Sequence, residues 1–333
     1  MQSQAVQSYA AQCAGAPLES WSYEPTALGP TEVDVVITHC GICHTDLHLI
    51  DNDLGVSSYP LVPGHEIVGV ISAVGSDVHN MTTGQRVGVG WQRGSCGVCE
   101  WCVGQNENLC AQSRPTCLAG FGGFAQSVRS DAHFAVPIPD SLTSACAAPM
   151  LCAGITVYRP LKQHIKNGSR VGVIGIGGLG HLALQFARAM GAEVYAFSRS
   201  EEKHDEAIQF GAHHFVVFTN SAPVPQKLDL ILSTATGDLD WPSWMNALRP
   251  QGAFCLLGAS PGPVALPVLP MIFGEFSFTA SVIGSPTSIT EMLQFAADHR
   301  IETMVETLPM HQVNFALEKV RKNQARYRMV LTA

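Results

Sequence analysis

Residues 171 to 180 decide the fold of the second half of the chain, and they read Val171-Gly172-Val173-Ile174-Gly175-Ile176-Gly177-Gly178-Leu179-Gly180. A short apolar run leads into a Gly-x-Gly-x-x-Gly turn, and helical periodicity follows from His181 to Met190. This order predicts a dinucleotide-binding βαβ unit, because the glycines let the backbone approach a pyrophosphate at the helix N-terminus. We expect the cofactor to contact Gly175, Gly177, Gly178, Leu179 and Gly180.

Apolar runs alternate with helical patterns from Arg170 to about Ser281. Strands are predicted at 171–174, 193–197, 215–218, 229–232, 253–257 and 276–280. Six strands in this rhythm predict a doubly wound parallel sheet in an α/β protein. The tail is predicted to contain a helix from Pro286 to about His299, a helix at 314–321 and a closing strand at 327–331, and we assign it to the first domain.

The first 150 residues are β-rich instead. Strands are predicted at 33–38, 67–75, 84–90 and 124–128, and the many glycines suit a compact barrel-like sheet that bends sharply. A chain of 333 residues is also long for one core. We therefore expect a β-rich domain formed by 1–153 and 283–333, and an α/β domain at 154–282.

The composition describes a globular protein, since 46% of the residues are hydrophobic and 14% are charged. A formal net charge of −8 provides no basic surface for nucleic acid or an anionic membrane. The N-terminus lacks the pattern of a secretory signal, which predicts a cytoplasmic location. The uncharged residues 252–274 are predicted to be buried strand and loop, because a membrane-spanning helix would be broken by Pro261, Pro263, Pro267 and Pro270.

The end of the second predicted strand of the α/β domain indicates which nucleotide binds. An acidic residue there would hydrogen-bond the ribose 2′-hydroxyl of NAD, but the chain has Ser198 and Arg199. These residues, with Lys203 one helical turn further on, suit a 2′-phosphate and favour NADP(H) over NAD(H). The alternative is that Arg199 is a solvated loop charge, its field diluted by Glu201 and Glu202.

Four cysteines form a second motif with the spacing Cys-x2-Cys-x2-Cys-x7-Cys, and they are Cys96, Cys99, Cys102 and Cys110. Four thiolates in one loop can close a tetrahedral zinc shell, so we predict a structural zinc in a lobe at about 91–112. An iron–sulfur cluster is the competing interpretation of this spacing, although nothing else in the chain indicates electron transfer. Clustered cysteines without a secretory signal also favour reduced thiols over disulfides.

A third motif gathers side chains that bind metals and move protons. Residues 43 to 48 read Cys43-His44-Thr45-Asp46-Leu47-His48, and Gly64-His65-Glu66 follows after a gap. Thiolate, imidazole and carboxylate groups are zinc ligands, and imidazole and carboxylate groups also transfer protons. We interpret this stretch as the floor of an active site.

Together these motifs resemble the zinc-dependent medium-chain alcohol dehydrogenases, most closely the cinnamyl-alcohol-dehydrogenase-like branch with its bacterial NADPH-dependent aldehyde reductases. The matching segments follow one another as in the family, and they are 40–48, 59–66, the four-cysteine lobe, 151–158 and the glycine turn. The resemblance implies a GroES-like β-rich catalytic domain, a Rossmann domain with a six-stranded parallel sheet, and two zinc ions per chain.

The resemblance makes Cys43, His65 and Cys152 the protein ligands of a catalytic zinc. Glu66 is then a ligand that can replace water at the fourth position, which a catalytic zinc keeps open. Asp46 is expected to orient an imidazole ligand such as His65, with a turn or helix-cap aspartate as the alternative.

A proton relay is also implied by the resemblance. The Thr45 hydroxyl would contact the reacting oxygen, and the proton would pass through the nicotinamide ribose to His48 and then to water. Asp53 would share or replace the last step. The alternative for His48 is a solvated surface position.

Further cofactor contacts are carried over by position, and they are His44, Thr156, Thr234, Gly258, Ser281, Val282, Ile283 and Arg328. The expected substrate pocket contains Leu54, Trp91 and Ile283, where the Trp91 ring would narrow the site unless it is an ordinary core indole. The remaining cysteines are expected to be small core residues, and they are Cys13, Cys40, Cys117, Cys146 and Cys255.

The resemblance implies reversible hydride transfer between NADP(H) and primary alcohols or aldehydes, aliphatic or aromatic. The implied partners are a small-molecule substrate and a second copy of the chain, in a homodimer or a tetramer. Two other classes of function use the same fold: a zinc-free quinone reductase or crystallin-like protein, and a nucleotide-sensing protein without turnover. The first would lack the ligand set that Cys43, His65 and Cys152 complete.

Overall fold

A computed structural model describes residues 5–235, 239–258 and 263–333. Pro261, one of the prolines considered above, and Met1 to Gln4 at the N-terminus lie outside these residues. Within them, the chain divides by its internal contacts into two units. The first contains Met1–Cys152, Gly284–Ala297 and Glu302–Ala333, and the second contains Ala153–Ile283 and Asp298–Ile301.

The strands of the described residues are β1 Val6–Ala10, β2 Glu19–Tyr23, β3 Glu32–Ile42, β4 Glu66–Val74, β5 Arg86–Val89, β6 Gln92–Gly94, β7 Arg114–Pro115, β8 Ser127–Asp131, β9 Ala135–Pro137, β10 Arg170–Ile174, β11 Glu193–Ser198, β12 His214–Val217, β13 Leu228–Ser233, β14 Leu248–Leu256, β15 Ser277–Ala280, β16 Val305–Pro309 and β17 Arg328–Thr332. The α-helices are α1 His44–Asp51, α2 Glu100–Val103, α3 Ser144–Pro149, α4 Ile155–His164, α5 Gly180–Ala189, α6 His204–Gln209, α7 Trp241–Asn246, α8 Val268–Gly274, α9 Pro286–His299 and α10 Val313–Arg321.

The first unit is built on a sheet with the strand order β16-β17-β3-β4-β5-β9, to which β8 adds by pairing with β3. The long strand β3 is antiparallel to β4, β8 and β17, so the end of the chain returns to the sheet formed by its beginning. Apolar side chains of alternate strand positions form the core, among them Val33, Val35 and Ile37. This arrangement agrees with the predicted β-rich GroES-like domain.

The second unit has the predicted parallel sheet, with the strand order β12-β11-β10-β13-β14-β15. The reversal of strand order beside β10 is the arrangement of a Rossmann fold, where nucleotides bind at the carboxyl ends of the strands. Trp244 lies fully buried in its core, with its ring edge to face against Phe197 and Phe218 at centroid distances of 5.1 and 5.3 Å. The fold class predicted from the alternating pattern is confirmed.

Three predicted elements differ from the structure. The strand expected at 124–128 is β8 at Ser127–Asp131, because Phe124 and Gln126 form backbone hydrogen bonds with residues of β1 instead. The stretch 252–274 is not only strand and loop, since α8 occupies Val268–Gly274 and exposes Val268, Leu269, Ile272 and Phe273. Strand β16, parallel to β17, is absent from the prediction because residues 305–309 alternate too weakly in polarity.

No helix in the described part of the chain has the length and apolar character needed to span a membrane.

Candidate active site

Helix α1 places the first candidate ligand. Cys43 precedes the helix with an extended backbone at φ −113° and ψ 159°, and its N–H donates to Asp46 Oδ2 at 2.9 Å. A carboxylate three residues after the N-cap that accepts from the N-cap N–H completes a capping box. The order Cys-His-Thr-Asp therefore fixes the Cys43 side chain at the helix N-terminus.

The same aspartate fixes the second candidate ligand. Asp46 Oδ1 accepts from the Gly64 N–H at 2.9 Å and lies 2.9 Å from His65 Nδ1, and all three groups are buried. Burial alone would lower the pKa of His65, but the Asp46 carboxylate, together with Cys152 and Cys117, raises that pKa well above its ordinary value. Nδ1 is thus the donor to Asp46, and Nε2 has no hydrogen-bond partner among the described residues.

The third candidate ligand is the sulfur of Cys152, on a short π-helical turn at Met150–Gly154. Such turns occur frequently at functional sites because they re-aim side chains. One ligand atom from each of four side chains lies within 4.8 Å of the others, and the four are Cys43, His65, Glu66 and Cys152. The two thiols interact so closely that the pKa of Cys43 falls well below its usual value while that of Cys152 rises well above it.

This donor set fits a zinc ion. Sulfur and imidazole nitrogen are ligands that zinc prefers. Nε2 of His65 is a buried nitrogen without a hydrogen-bond partner among the described residues, as expected of an atom that would bind a metal. Zinc binds cysteine as the thiolate, and two cysteine sulfurs belong to this group of ligand atoms.

Glu66 carries an ion pair that the sequence pattern did not indicate. Arg328 Nη2 donates to Glu66 Oε1, although the residues are 262 positions apart in the chain. Both are buried, and burial raises the pKa of Glu66 to about 7 against the opposing charge of Arg328. Arg328 thus lies against a candidate metal ligand, and its predicted cofactor contact stays a prediction.

The predicted relay residues lie on α1 and the turn after it. Thr45 Oγ1 is 3.7 Å from Cys43 Sγ, so its hydroxyl is beside the candidate metal ligands. His48 Nδ1 lies 2.8 Å from Asp53 Oδ2 and 3.1 Å from Oδ1, and both side chains reach solvent. The structure brings these two predicted residues together.

The predicted pocket residues have different surroundings. The Trp91 ring packs edge to face against His65 with centroids 5.1 Å apart, which places it directly beside a candidate metal ligand. Leu54 is exposed on the turn after α1. Ile283 lies in the second unit and is buried.

The four-cysteine motif folds into one sulfur cluster. Sγ of Cys102 lies 3.8 Å from that of Cys96 and 3.5 Å from that of Cys99, and the Cys110 and Cys96 sulfurs are 3.5 Å apart. Four thiolates at Zn–S bonds of about 2.3 Å would have sulfurs about 3.8 Å apart in a tetrahedron. The cluster therefore fits a closed zinc site.

The glycine turn of the second unit has the geometry that its spacing predicts. Gly175 has φ +88°, and Thr234 Oγ1 donates to its carbonyl at 2.8 Å. A Cβ at Gly180 would overlap the Gly175 carbonyl oxygen, whereas one at Gly177 would meet nothing within 4 Å. The first glycine thus makes the turn, the second leaves open space for a ligand, and the third allows close packing.

The residues predicted for the 2′-phosphate follow β11. Ser198 is buried, and its hydroxyl accepts from the Ser200 N–H at 3.2 Å. Arg199 is exposed, and Lys203 Nζ lies 3.9 Å from Glu206. No acidic residue occupies the end of this strand.

The other predicted cofactor residues are spread over both units. Thr156 is in the first turn of α4, and Gly258 leaves no room for a Cβ beside Ala235. Ser281 Oγ is buried without a hydrogen-bond partner in the described chain, while Val282 beside it is exposed. His44 is the first residue of α1 and is exposed.

Two cysteines differ from their expected roles. Cys13 is exposed and is not a core residue, because it lies in the turn after β1. Cys117 is buried as expected, but its sulfur also belongs to a cluster with Asp46 and His65 and donates to the Gly64 carbonyl at 3.4 Å. No spacing signal connects Cys117 with those residues in the sequence.

Comparison with known proteins agrees with this geometry. Residues 29–140 match the alcohol dehydrogenase GroES-like domain, and residues 178–298 match the zinc-binding dehydrogenase family. The chain is 41% identical over 331 residues to the aldehyde reductase AdhA of Synechocystis sp., with 98% of each chain covered.

Two solved structures resemble the chain closely. A cinnamyl alcohol dehydrogenase from Sorghum bicolor is 36% identical with a TM-score of 0.92, covering 99% of this chain and 98% of its own. A cinnamyl alcohol dehydrogenase from Helicobacter pylori, solved in complex with NADP(H), is 31% identical with a TM-score of 0.91, covering 98% of each chain.

The chain belongs to the zinc-dependent medium-chain alcohol dehydrogenases, an oxidoreductase family. Within the family its relatives are those of the cinnamyl-alcohol-dehydrogenase-like branch, so its reaction is that of an alcohol dehydrogenase or aldehyde reductase.

We expect Asp46→Ala to lower the free energy of unfolding by at least about 3 kcal/mol, because three buried donors lose their acceptor and each costs about 1–3 kcal/mol. Urea unfolding with a chelator present measures this without a contribution from metal. The control Asp53→Ala removes an exposed partner and should cost less than about 1 kcal/mol. Equal losses in the two variants would contradict the central role of Asp46.

Proposed function

We propose that the chain catalyses reversible hydride transfer between NADP(H) and primary alcohols or aldehydes of broad range. The observation that carries this proposal is the cluster of Cys43, His65, Glu66 and Cys152, with the Thr45 hydroxyl beside Cys43. His48 is on the same helix as Thr45. In this proposal, residues 1–153 and 283–333 form the catalytic domain, and residues 154–282 bind the nucleotide.

Cys43, His65 and Cys152 would hold a catalytic zinc, and Glu66 would be a fourth ligand that exchanges with substrate. Zinc bound there polarises a carbonyl or lowers the pKa of an alcohol. Asp46 keeps the His65 imidazole in the tautomer that presents Nε2 to the ligand cluster. The Trp91 ring packs edge to face against that imidazole. With Leu54 and Ile283 it would line the substrate pocket.

The chain's own residues provide a path for the proton. The Thr45 hydroxyl, beside Cys43 Sγ, would exchange a proton with the reacting oxygen. His48 would deliver that proton to solvent, since its ring is exposed. Asp53 accepts a hydrogen bond from His48 Nδ1 and would orient the ring or share the last transfer.

The second unit would bind the cofactor through its glycine turn. Gly175, Gly177, Gly178, Leu179 and Gly180 would surround the pyrophosphate, and Ser198, Arg199 and Lys203 would bind the 2′-phosphate. Support for NADP(H) comes from the missing acidic residue at the end of β11 and from the NADP(H) complex of the Helicobacter pylori relative. The remaining contacts would come from His44, Thr156, Thr234, Gly258, Ser281, Val282, Ile283 and Arg328.

The second zinc would be structural. Cys96, Cys99, Cys102 and Cys110 supply four sulfurs and leave no position for substrate. All eleven cysteines of the chain are free thiols, which suits a reducing, cytoplasmic location.

A second copy of the chain is the protein partner that we propose. In the order of the described sheet, β15 is an edge strand with unpaired backbone groups, and α8 precedes it in the chain with an exposed apolar side. An apolar helix beside an open edge is a surface that dimerisation covers. We propose a homodimer, from which a tetramer could be built.

The cofactor and reaction are tested together with a panel of aldehydes, including benzaldehyde and cinnamaldehyde, assayed with NADPH and with NADH. We expect faster turnover with NADPH. Arg199→Ala should raise the KM for NADPH about tenfold or more, the scale of a lost charge-assisted hydrogen bond, and leave that for NADH unchanged. Better turnover with NADH would contradict the NADP(H) assignment. If neither NADPH nor NADH were oxidised with any aldehyde of the panel, the proposed function would be wrong.

Thr45→Ala should reduce turnover about 10²-fold, the scale of a lost acid–base step, with its metal content unchanged. Thr45→Ser keeps a hydroxyl at the same position and should retain most activity. If the alanine variant turned over at the normal rate, Thr45 would have no part in the proton path.

Metal analysis should find about two zinc ions per chain, one at the site of Cys43, His65 and Cys152 and one at the four-cysteine site. Cys152→Ala should lose one zinc and all turnover, and Cys110→Ala should lose one zinc and much of the stability. The control Cys13→Ser changes an exposed cysteine and should keep both zinc ions, the turnover and the stability. Turnover of an aldehyde by metal-free protein would contradict the assignment of a catalytic zinc.

Light scattering after gel filtration should give the mass of a dimer or tetramer. Phe273, which is 84% exposed on α8, should be buried in the interface, so Phe273→Asp should shift the mass towards the monomer. The control Phe315→Asp changes an exposed phenylalanine on α10 and should leave the mass unchanged. A wild-type monomer would rule out the proposed partner.

A further inference from the structure

Gly41 occupies a position in the first unit where sheet register leaves no room for a side chain. It lies on β3, opposite Glu66 on β4 and opposite Val330 on β17. Residues directly opposite in antiparallel strands point to the same face of a sheet, and residues two apart on one strand share that face. Arg328 therefore faces the same side as Glu66, with Gly41 on the strand between them.

The Glu66 side chain crosses β3 over the Cα atom of Gly41. A Cβ atom at Gly41 would overlap Glu66 Oε2, and it would lie 3.0 Å from Glu66 Cβ and 3.1 Å from Cδ. The carboxylate reaches Arg328 on β17 through this gap and pairs with it through Oε1. The open space above Gly41 is thus what lets Glu66 reach Arg328.

Glu66 also belongs to the ligand cluster. One of its oxygens lies within 4.8 Å of the ligand atoms of Cys43, His65 and Cys152. Oε2 and Arg328 Nε have no hydrogen-bond partner among the described residues, so the ion pair leaves part of each group free. A small movement of the carboxylate would exchange its contact with Arg328 for a position among the three ligands.

We propose that Gly41 is a positioning residue: the space over its Cα atom lets the Glu66 carboxylate rest on Arg328, so that the carboxylate enters the fourth ligand position only in exchange with substrate. This inference rests on the proposed catalytic metal site. Its physical basis is steric, since the Glu66 backbone is fixed by pairing with β3 and only the carboxylate can move. A side chain at position 41 would displace that carboxylate from Arg328, and the ligand atoms of Cys43, His65 and Cys152 lie within 4.8 Å of a Glu66 oxygen.

The experiment uses protein in which cobalt(II) replaces zinc, and it measures the affinity for azide, a small anion that needs an open ligand position. Gly41→Ala should weaken azide binding about 10- to 100-fold and change the visible cobalt spectrum, as expected for altered surroundings of a metal site. The control Gly172→Ala adds a methyl group to a buried strand of the second unit, where it meets Leu228, and should leave both readouts unchanged.

A double-mutant cycle separates positioning from general damage. If Gly41 acts through Glu66, then Glu66→Ala and the double variant Gly41→Ala/Glu66→Ala should bind azide equally. Should Gly41→Ala fail to fold, restored folding in the double variant would support the same steric contact.

Unchanged azide affinity in Gly41→Ala would overturn the inference. It would also be overturned if Gly41→Ala weakened azide binding by the same factor in the Glu66→Ala background as in the wild-type protein. If the double variant also failed to fold, Gly41 would be needed only for the stability of the sheet, and the inference would be wrong. If wild-type protein bound neither cobalt nor azide, the metal site itself would be wrong, which is a separate outcome.

Discussion

The Asp46 carboxylate is the group on which the candidate site depends. Its two oxygens accept from the Cys43 N–H, from the Gly64 N–H and from His65, so one buried side chain joins the start of α1 to the segment before β4. Burying a charged group is unfavourable unless several hydrogen-bond donors surround it, and three donors surround this carboxylate. One carboxylate therefore helps to fix the positions of two candidate ligands, Cys43 and His65.

The two sulfur clusters differ in how the chain assembles them. Cys96, Cys99, Cys102 and Cys110 come from 15 consecutive residues, and their closed set of four sulfurs suits a metal that stabilises a loop. Cys43, His65 and Cys152 come from the N-cap of α1, the segment before β4 and a π-helical turn. A site assembled from distant segments has a rigid support in each, which a catalytic centre requires.

The sheet register of the first unit adds a constraint that the motifs do not contain. Because β3 lies between β4 and β17, Glu66 and Arg328 meet across a glycine, and the buried carboxylate has a cation beside it. Removing that cation would leave a buried charge without compensation, which is far more costly than the loss of an exposed pair. The return of the chain end to β3 is thus part of the site as well as of the fold.

Features with a local cause could be predicted from the amino-acid sequence. The glycine turn, the rhythm of six strands and the four-cysteine spacing each depend on neighbouring residues, and the structure contains all three. The ligand set came from resemblance to a family, and the contact of Asp46 with His65 was expected from it.

Contacts between distant segments were decided only in the folded chain. The Glu66–Arg328 pair, the approach of Cys117 to His65 and the pairing of β16 with β17 depend on strand register, which no local pattern encodes. The prediction of buried strand and loop was wrong for α8 for a similar reason, since hydrophobic composition does not reveal which side chains the rest of the fold covers. The sequence therefore identified candidate residues from local patterns, whereas their contacts with distant residues depend on tertiary packing.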